Sequence, residues 1–119
     1  MELVFCYNAK SGFKNGLIDL FHKTISPKTY PCNLCAITYT YKKREKWKNF
    51  IDNFHLPISF MYIDHLRDRN LENYFNDLPC CFINIKGNYN IVINKKEINS
   101  LKNEDELIKM LENINYENY

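Results

Sequence analysis

Two strand-type runs joined by a glycine turn limit the fold of this chain more than any other stretch. Residues 80–85 are CCFINI, residues 89–94 are YNIVIN, and Lys-Gly-Asn lies between them. Short runs of apolar, β-branched and aromatic residues are typical of strands, and a glycine-containing turn between two of them is typical of a hairpin. Pro79 directly precedes the first run. The sequence therefore predicts an antiparallel hairpin directly after this proline.

The rest of the chain alternates strand patterns with amphipathic helix patterns. Apolar runs predict two further strands, at 3–7 and 57–63. Apolar residues at helical spacing predict helices at 14–24, 42–54 and 65–78. A chain of 119 residues without linkers or repeats has the length of one domain. We therefore expect a single α/β domain over residues 1–119, with a central mixed sheet and helices on both faces.

Two of the predicted helices carry more detailed expectations. The helix at 65–78 should turn its apolar residues inward, namely Leu71, Tyr74, Phe75 and Leu78. A last helix should start after Asn103, because this residue can cap it and Glu106 can reach back to the helix start.

Composition and charge exclude several partners. The formal net charge is +2, which does not favour binding to nucleic acid or to an anionic membrane. No apolar run approaches the length of a membrane span, and the start of the chain lacks a targeting pattern. Five cysteines is an odd number, which argues against a secreted disulfide framework. We expect a cytoplasmic protein without a cofactor, and the sequence does not indicate an oligomeric state.

The segment TYPCNLC contains the strongest chemical signal. Cys32 and Cys35 form a C-x-x-C pair, and Pro31 favours a helix start at Cys32 or Asn33. Such a pair can exchange disulfides, contribute to a metal site, or pack as two small apolar side chains. Thiol reactivity requires a lowered pKa, for which a helix start or a nearby cation is the usual cause. His22 is the candidate that would tune the pKa of Cys32.

A zinc site is the second alternative for this pair. Structural zinc takes four ligands, and His22, Cys32 and Cys35 would need one further cysteine. Cys80 and Cys81 are adjacent in a predicted strand, so their side chains should point to opposite faces and only one could join. No second C-x-x-C is present, so the sequence predicts no metal ligands. Cys6 and the inward member of the adjacent pair are expected in the core.

The turn after the first strand is a candidate binding surface. Ser11 and Gly12 lie between a predicted strand and a predicted helix, where backbone N–H groups can face a ligand. Ligands of open α/β sheets gather at the carboxyl ends of strands, which is where this turn lies. An ordinary connecting turn explains the same residues.

The order of predicted elements resembles that of the thioredoxin fold. Residues 78–114 are similar to the second half of that fold: a proline, a strand, a glycine turn, a strand and a closing helix. In thioredoxins the matching proline is cis and faces the active cysteines. The resemblance therefore implies that Pro79 forms a cis peptide bond and part of the substrate-side wall.

The position of the cysteine pair departs from the thioredoxin pattern. Thioredoxins carry C-x-x-C between the first strand and the first helix, whereas Cys32 and Cys35 follow the first predicted helix, in an insert. The segments YNAKSG at 7–12 and SPKTYPCNLC at 26–35 also resemble a group of small bacterial proteins, a likeness that implies no activity.

The leading functional hypothesis is thiol–disulfide exchange or redox sensing. Cys32 would be the nucleophile, Cys35 the resolving thiol, and a protein thiol or disulfide the partner. The alternative is a non-catalytic binding module in which the C-x-x-C pair is structural or binds zinc.

Overall fold

The computed structural model describes residues 1–10, 33–38 and 45–119. The helix predicted at 14–24 and the start of the one predicted at 42–54 lie outside these ranges. The described residues form a mixed α/β fold around one four-stranded mixed sheet.

The elements follow one another in a simple order. The four strands are β1 (Glu2–Cys6), β2 (Ile58–Met61), β3 (Cys80–Ile85) and β4 (Asn88–Ile93). The described α-helices are α1 (Asn33–Thr38), α2 (Glu45–Asn53), α3 (Lys95–Asn99) and α4 (Glu104–Glu112). Three 3₁₀ helices lie between β2 and β3, and a fourth ends the chain; they are Ile63–His65, Arg67–Arg69, Glu72–Asp77 and Tyr116–Asn118.

The sheet has the strand order β2-β1-β3-β4. β1 runs parallel to β2 and antiparallel to β3, and β4 returns antiparallel to β3. β1, β2 and β4 therefore end where β3 begins, and we call this side of the sheet the carboxyl edge. The hairpin prediction is confirmed. Its turn contains Lys86 at φ 53° and Gly87 at φ 88°, as type I′ turns require.

Strand alternation divides the core into two faces. On the first, which we call the α face, Leu3, Phe5 and Tyr7 of β1 and its continuation pack with Cys81 and Ile83 of β3. The side chains that cover this face come from all four described α-helices and the last 3₁₀ helix; they include Leu34, Ile37, Trp47, Ile98, Leu107, Leu111 and Tyr116. The predicted stripe of α2 is confirmed, since Trp47 is fully buried and its apolar neighbours on the helix pack against this cluster.

The opposite face is covered by 3₁₀ helices, and we call it the 3₁₀ face. Its core consists of sheet residues and of leucines from the segment between β2 and β3, namely Val4, Cys6, Met61, Leu66, Leu71, Leu78, Cys80 and Phe82. The single helix predicted at 65–78 is wrong, because the segment forms separate 3₁₀ turns and Asn70 takes a left-handed conformation with φ 58°. Phe75 was predicted to point inward, but 57% of it is exposed.

Both helices after the hairpin begin with side-chain caps. Asn103 Oδ1 accepts a hydrogen bond from Glu106 N, as predicted. Glu106 does not close the box on Asn103 but accepts a hydrogen bond from Lys102 N instead, at 2.6 Å. The short helix α3 has the complete box, with Asn94 and Glu97 each accepting a hydrogen bond from the other's backbone N–H. Across the ranges described, no helix combines the length and the apolar character needed to cross a membrane.

Candidate functional site

Cys35 lies in the first turn of α1 with its side chain in the core. Only 3% of the residue is exposed. It belongs to the α-face cluster together with Leu34 and Ile37. Helix α1 begins at Asn33, as the preceding proline predicts, so Cys32 is the residue directly before the helix.

The start of α1 is fixed to the segment that follows β4. Asn33 Nδ2 donates hydrogen bonds to the carbonyl oxygens of Ile98 and Leu101, at 2.6 and 2.9 Å. Ile98 lies in the last turn of α3 and Leu101 follows the helix, and Ile98 O also accepts a hydrogen bond from Leu101 N at 3.1 Å. The side-chain amide of Asn33 therefore joins the start of α1 to the backbone at the end of α3.

The end of α1 is fixed to the residue that follows β1. Thr38 Oγ1 donates to Leu34 O at 2.6 Å and lies 3.1 Å from the Tyr7 hydroxyl. A threonine hydroxyl has one hydrogen, which the bond to Leu34 uses, so Tyr7 donates to Thr38. Thr38 is a fully buried polar residue, and these two hydrogen bonds satisfy its hydroxyl.

Pro79 lies at the same edge of the sheet. It directly precedes β3 and is buried, and the peptide bond from Leu78 is cis, as the resemblance to thioredoxins implied. Cys80 lies opposite Cys6 in the β1–β3 register, so Pro79 and Tyr7 both lie just past the last paired residues. Helix α1, bonded to Tyr7 at its end, therefore lies at the edge where Pro79 is found.

Four of the predicted site residues fall outside the described ranges. These are Cys32, His22, Ser11 and Gly12. Of the remaining two, the structure places Cys35 in α1 on the α face and Pro79 at the start of β3.

Cys6 is a core residue, as predicted, and both members of the adjacent pair are core residues rather than one of them. Cys6, Cys80 and Cys81 are fully buried, and the two adjacent ones point to opposite faces of the sheet. Burial raises the pKa of Cys80 to about 12, with a smaller contribution from the negative charge of Asp77. Burial likewise raises the pKa of Cys81 well above its ordinary value. Both groups are therefore protonated thiols at neutral pH and are poor nucleophiles.

The described residues contain no group of three or more histidine, cysteine, aspartate and glutamate side chains arranged to hold a metal ion. His55 and His65 lie on different parts of the surface. The His55 ring contacts Phe54 in a tilted arrangement, and His65 accepts a hydrogen bond from Tyr62 N at 3.0 Å.

Three residues that position α1 were not predicted from the sequence. Asn33, Thr38 and Tyr7 bond to partners 31 to 68 positions away in the chain. The available signal was weak: a polar residue within C-x-x-C and a tyrosine at the end of a buried strand. Neither pattern identifies its partner.

No protein-family model matches the chain, and comparison with curated proteins and with solved structures gave no match. The arguments about function therefore rest on the residues and their geometry.

Proposed function

We propose that this chain is a thioredoxin-like protein that carries out thiol–disulfide exchange or redox sensing through Cys32 and Cys35. The observation that carries the proposal is the position of Cys35, which is 3% exposed in the first turn of α1, three residues after Cys32. In a dithiol mechanism the resolving thiol must be shielded from outside disulfides and still lie close to the nucleophile.

The strand order supports the thioredoxin-like architecture. Two parallel strands, β2 and β1, followed by an antiparallel hairpin give the order β2-β1-β3-β4. This order agrees with the sequence resemblance in residues 78–114, with Pro79 directly before β3. The insert that carries the C-x-x-C pair is the main departure from the thioredoxin pattern.

The spacing of the two cysteines supports their cooperation. Side chains three residues apart share one face of a helical turn. Helix α1 starts directly after Cys32, so the thiol of Cys35 is held one turn into the helix. The bonds of Asn33 and Thr38 fix both ends of this helix, which limits the movement of Cys35 away from its partner.

The proposed exchange has two steps. The Cys32 thiolate attacks one sulfur of the partner's disulfide, a mixed disulfide forms, and the partner's other sulfur leaves as a thiolate. Cys35, after losing its proton, attacks the Cys32 sulfur, and the second partner sulfur leaves. The partner gains two electrons and the protein ends with a Cys32–Cys35 disulfide.

The other predicted residues have supporting roles in this proposal. His22 would lower the pKa of Cys32, and Pro79 would form the wall on which the partner rests. Ser11 and Gly12 come after β1 in the sequence and would contact the partner through backbone N–H groups. The partner is a protein thiol or disulfide, and we place the reaction in the cytosol, where thiols stay reduced.

Trapping with glutathione disulfide tests the proposal. In Cys35→Ser the exchange stops after the first step, so one glutathione should remain attached to Cys32 and be detected by mass spectrometry. Cys32→Ser is the matched control and should acquire none, because the four cysteines that remain, Cys6, Cys35, Cys80 and Cys81, are all buried. Equal labelling of the two variants, or no labelling of either, would contradict the exchange.

A structural role for the pair is the rival, and one observation favours it. Cys35 packs with Leu34 and Ile37 in the α-face cluster, as an ordinary small apolar side chain would. In this case the chain is a binding module in which the pair fixes the insert, with or without zinc. Near-stoichiometric zinc in freshly purified protein, lost in Cys32→Ser, would support the zinc form of this rival.

A further inference from the structure

Three sulfur side chains lie side by side on the 3₁₀ face. Met61 ends β2, Cys6 ends β1 and Cys80 begins β3. Cys6 is the register partner of Met61 on one side and of Cys80 on the other. All three are fully buried in one cluster, and we call them the sulfur row.

Hydrogen bonding sets the spacing of the two cysteines in the row. Leu3 N and Tyr7 N both donate to the β2 side, to Pro57 O and Met61 O. Backbone groups alternate along a strand, so those of Cys6 point toward β3, and Cys6 and Cys80 form a hydrogen-bonded pair. The Cα atoms of such a pair are about 5.5 Å apart, and their Cβ atoms lie at the wide end of the cross-strand range.

This spacing suits a bridging ion better than a disulfide. A disulfide needs Cβ atoms about 3.5–4.5 Å apart. An ion about 2.3 Å from each of two thiolates, with a third ligand that brings the S–ion–S angle to about 120°, separates the sulfurs by about 4 Å, which two parallel side chains on neighbouring strands can supply.

The donor set indicates the kind of ion. Two thiols and a thioether are soft ligands, which select cuprous copper, whereas structural zinc takes four ligands. The rest of the cluster around them is aliphatic or aromatic, with Val4, Leu66, Leu71, Leu78 and Phe82 at its centre.

One cation lies beside the row. The Arg69 guanidinium approaches Met61 Sδ at 3.6 Å. A cuprous ion with two thiolates has a net charge of −1, which this guanidinium would partly neutralise. The negative charge of Asp77 near Cys80 would instead disfavour the negatively charged complex. The row lies at the carboxyl edge of the sheet.

We propose that Cys6 and Cys80 bind one cuprous ion, with Met61 as a third ligand. Binding converts two thiols and Cu⁺ into a dithiolate complex and releases two protons, with no change of oxidation state. This site is separate from Cys32 and Cys35 and does not depend on their activity.

Anaerobic titration with acetonitrile-stabilised Cu(I), in competition with bathocuproine disulfonate, tests the proposal. The C-x-x-C pair can itself bind copper, so the reference protein is the Cys32→Ser/Cys35→Ala variant. It should bind one ion per chain and release two protons. Cys80→Ala in the same background should lose the site, and Met61→Leu should bind about tenfold more weakly, as for loss of a supporting ligand.

Two further measurements keep the test decisive. If the triple variant fails to fold by circular dichroism, the single variant Cys80→Ala should bind one ion fewer than the wild-type chain. X-ray absorption of the copper-loaded reference protein should show sulfur ligands alone. A reference protein that binds no copper against the chelator, copper retained after Cys80→Ala, or oxygen and nitrogen ligands at the metal would overturn the proposal.

Discussion

The hydroxyl of Tyr7 donates a hydrogen bond of 3.1 Å to Thr38 Oγ1 in the core. It joins the residue that follows β1 to the last residue of α1, across 31 positions of sequence. Because Cys35 lies one turn earlier in the same helix, this bond links the sheet to the segment that carries the proposed chemistry.

Replacing either partner of the Tyr7–Thr38 hydrogen bond should lower the free energy of unfolding, but by different amounts. Thr38→Val leaves a buried tyrosine hydroxyl without this acceptor, and the free energy of unfolding in urea should fall by about 1–3 kcal/mol. Tyr7→Phe removes the donor while Thr38 keeps its bond to Leu34, so the loss should be about 1 kcal/mol. If the two losses simply add in the double variant, the bond contributes no coupling and the assignment is wrong.

Asn33 should tolerate a charge poorly. In Asn33→Asp a carboxylate replaces the amide that donates to Ile98 O and Leu101 O, so two bonds are lost and the charge faces two carbonyl oxygens. The free energy of unfolding should fall by about 2 kcal/mol or more.

Asn53→Asp is the matched control for this substitution. Asn53 Nδ2 donates to Asn49 O on the exposed surface of α2, so its replacement should change stability by about 0.5 kcal/mol at most. Equal effects at the two positions would contradict the anchoring role of Asn33.

In the segment between β2 and β3, Leu71 and Phe75 should respond to truncation in the opposite order to their size. Leu71 is 6% exposed in the core and Phe75 is 57% exposed. Leu71→Ala should cost about 2–3 kcal/mol and Phe75→Ala about 0.5 kcal/mol, measured by thermal or urea unfolding. A larger loss of unfolding free energy for Phe75→Ala than for Leu71→Ala would contradict the exposed position of Phe75 and support the inward orientation that the sequence pattern predicts.

The case of Phe75 shows where sequence reasoning was insufficient. Apolar residues three and four positions apart predict an α-helix, but 3₁₀ turns have nearly the same spacing and rotate the side chains differently. Asn70, in a left-handed conformation, interrupts the segment, and the presence of an asparagine in the sequence does not by itself predict that conformation.

The strands and caps were easier to predict because their signals are local. The apolar runs of β1 and β3, the Lys86–Gly87 turn and the Asn103 cap are all patterns of neighbouring residues. The capping box of α3, with Asn94 and Glu97, was also present in the sequence but was not recognised in so short a segment. The anchors of α1 depend on distant partners, which no local pattern specifies.

Alkaline pH should weaken the fold through its buried thiols. Burial raises the pKa of Cys80 to about 12, whereas an unfolded cysteine has a pKa of about 8.5. Between these values the unfolded chain loses a proton that the folded chain keeps, so stability falls as pH rises. This contribution is fully present below about pH 8.5 and falls by about 1.4 kcal/mol per pH unit above it.

Cys80→Ala supplies the control for the pH dependence. The variant lacks this thiol, so its free energy of unfolding between pH 8.5 and 10 should fall less steeply than that of the wild type. Cys81 keeps its own raised pKa in both proteins. If the free energy of unfolding falls with pH equally steeply in the two proteins, the Cys80 thiol does not lose its proton preferentially in the unfolded chain, and this account is contradicted.

The central claim is that Cys32 is an acidic, reachable thiol beside a shielded Cys35, and alkylation rates test it most directly. Wild-type protein is treated with iodoacetamide across a pH series, and each cysteine is quantified by peptide fragmentation. We predict that Cys32 reacts fastest, with a midpoint below the ordinary pKa of about 8.5, while Cys35 reacts slowly. A midpoint for Cys32 at or above that value, or equal rates at the two cysteines, would contradict the account.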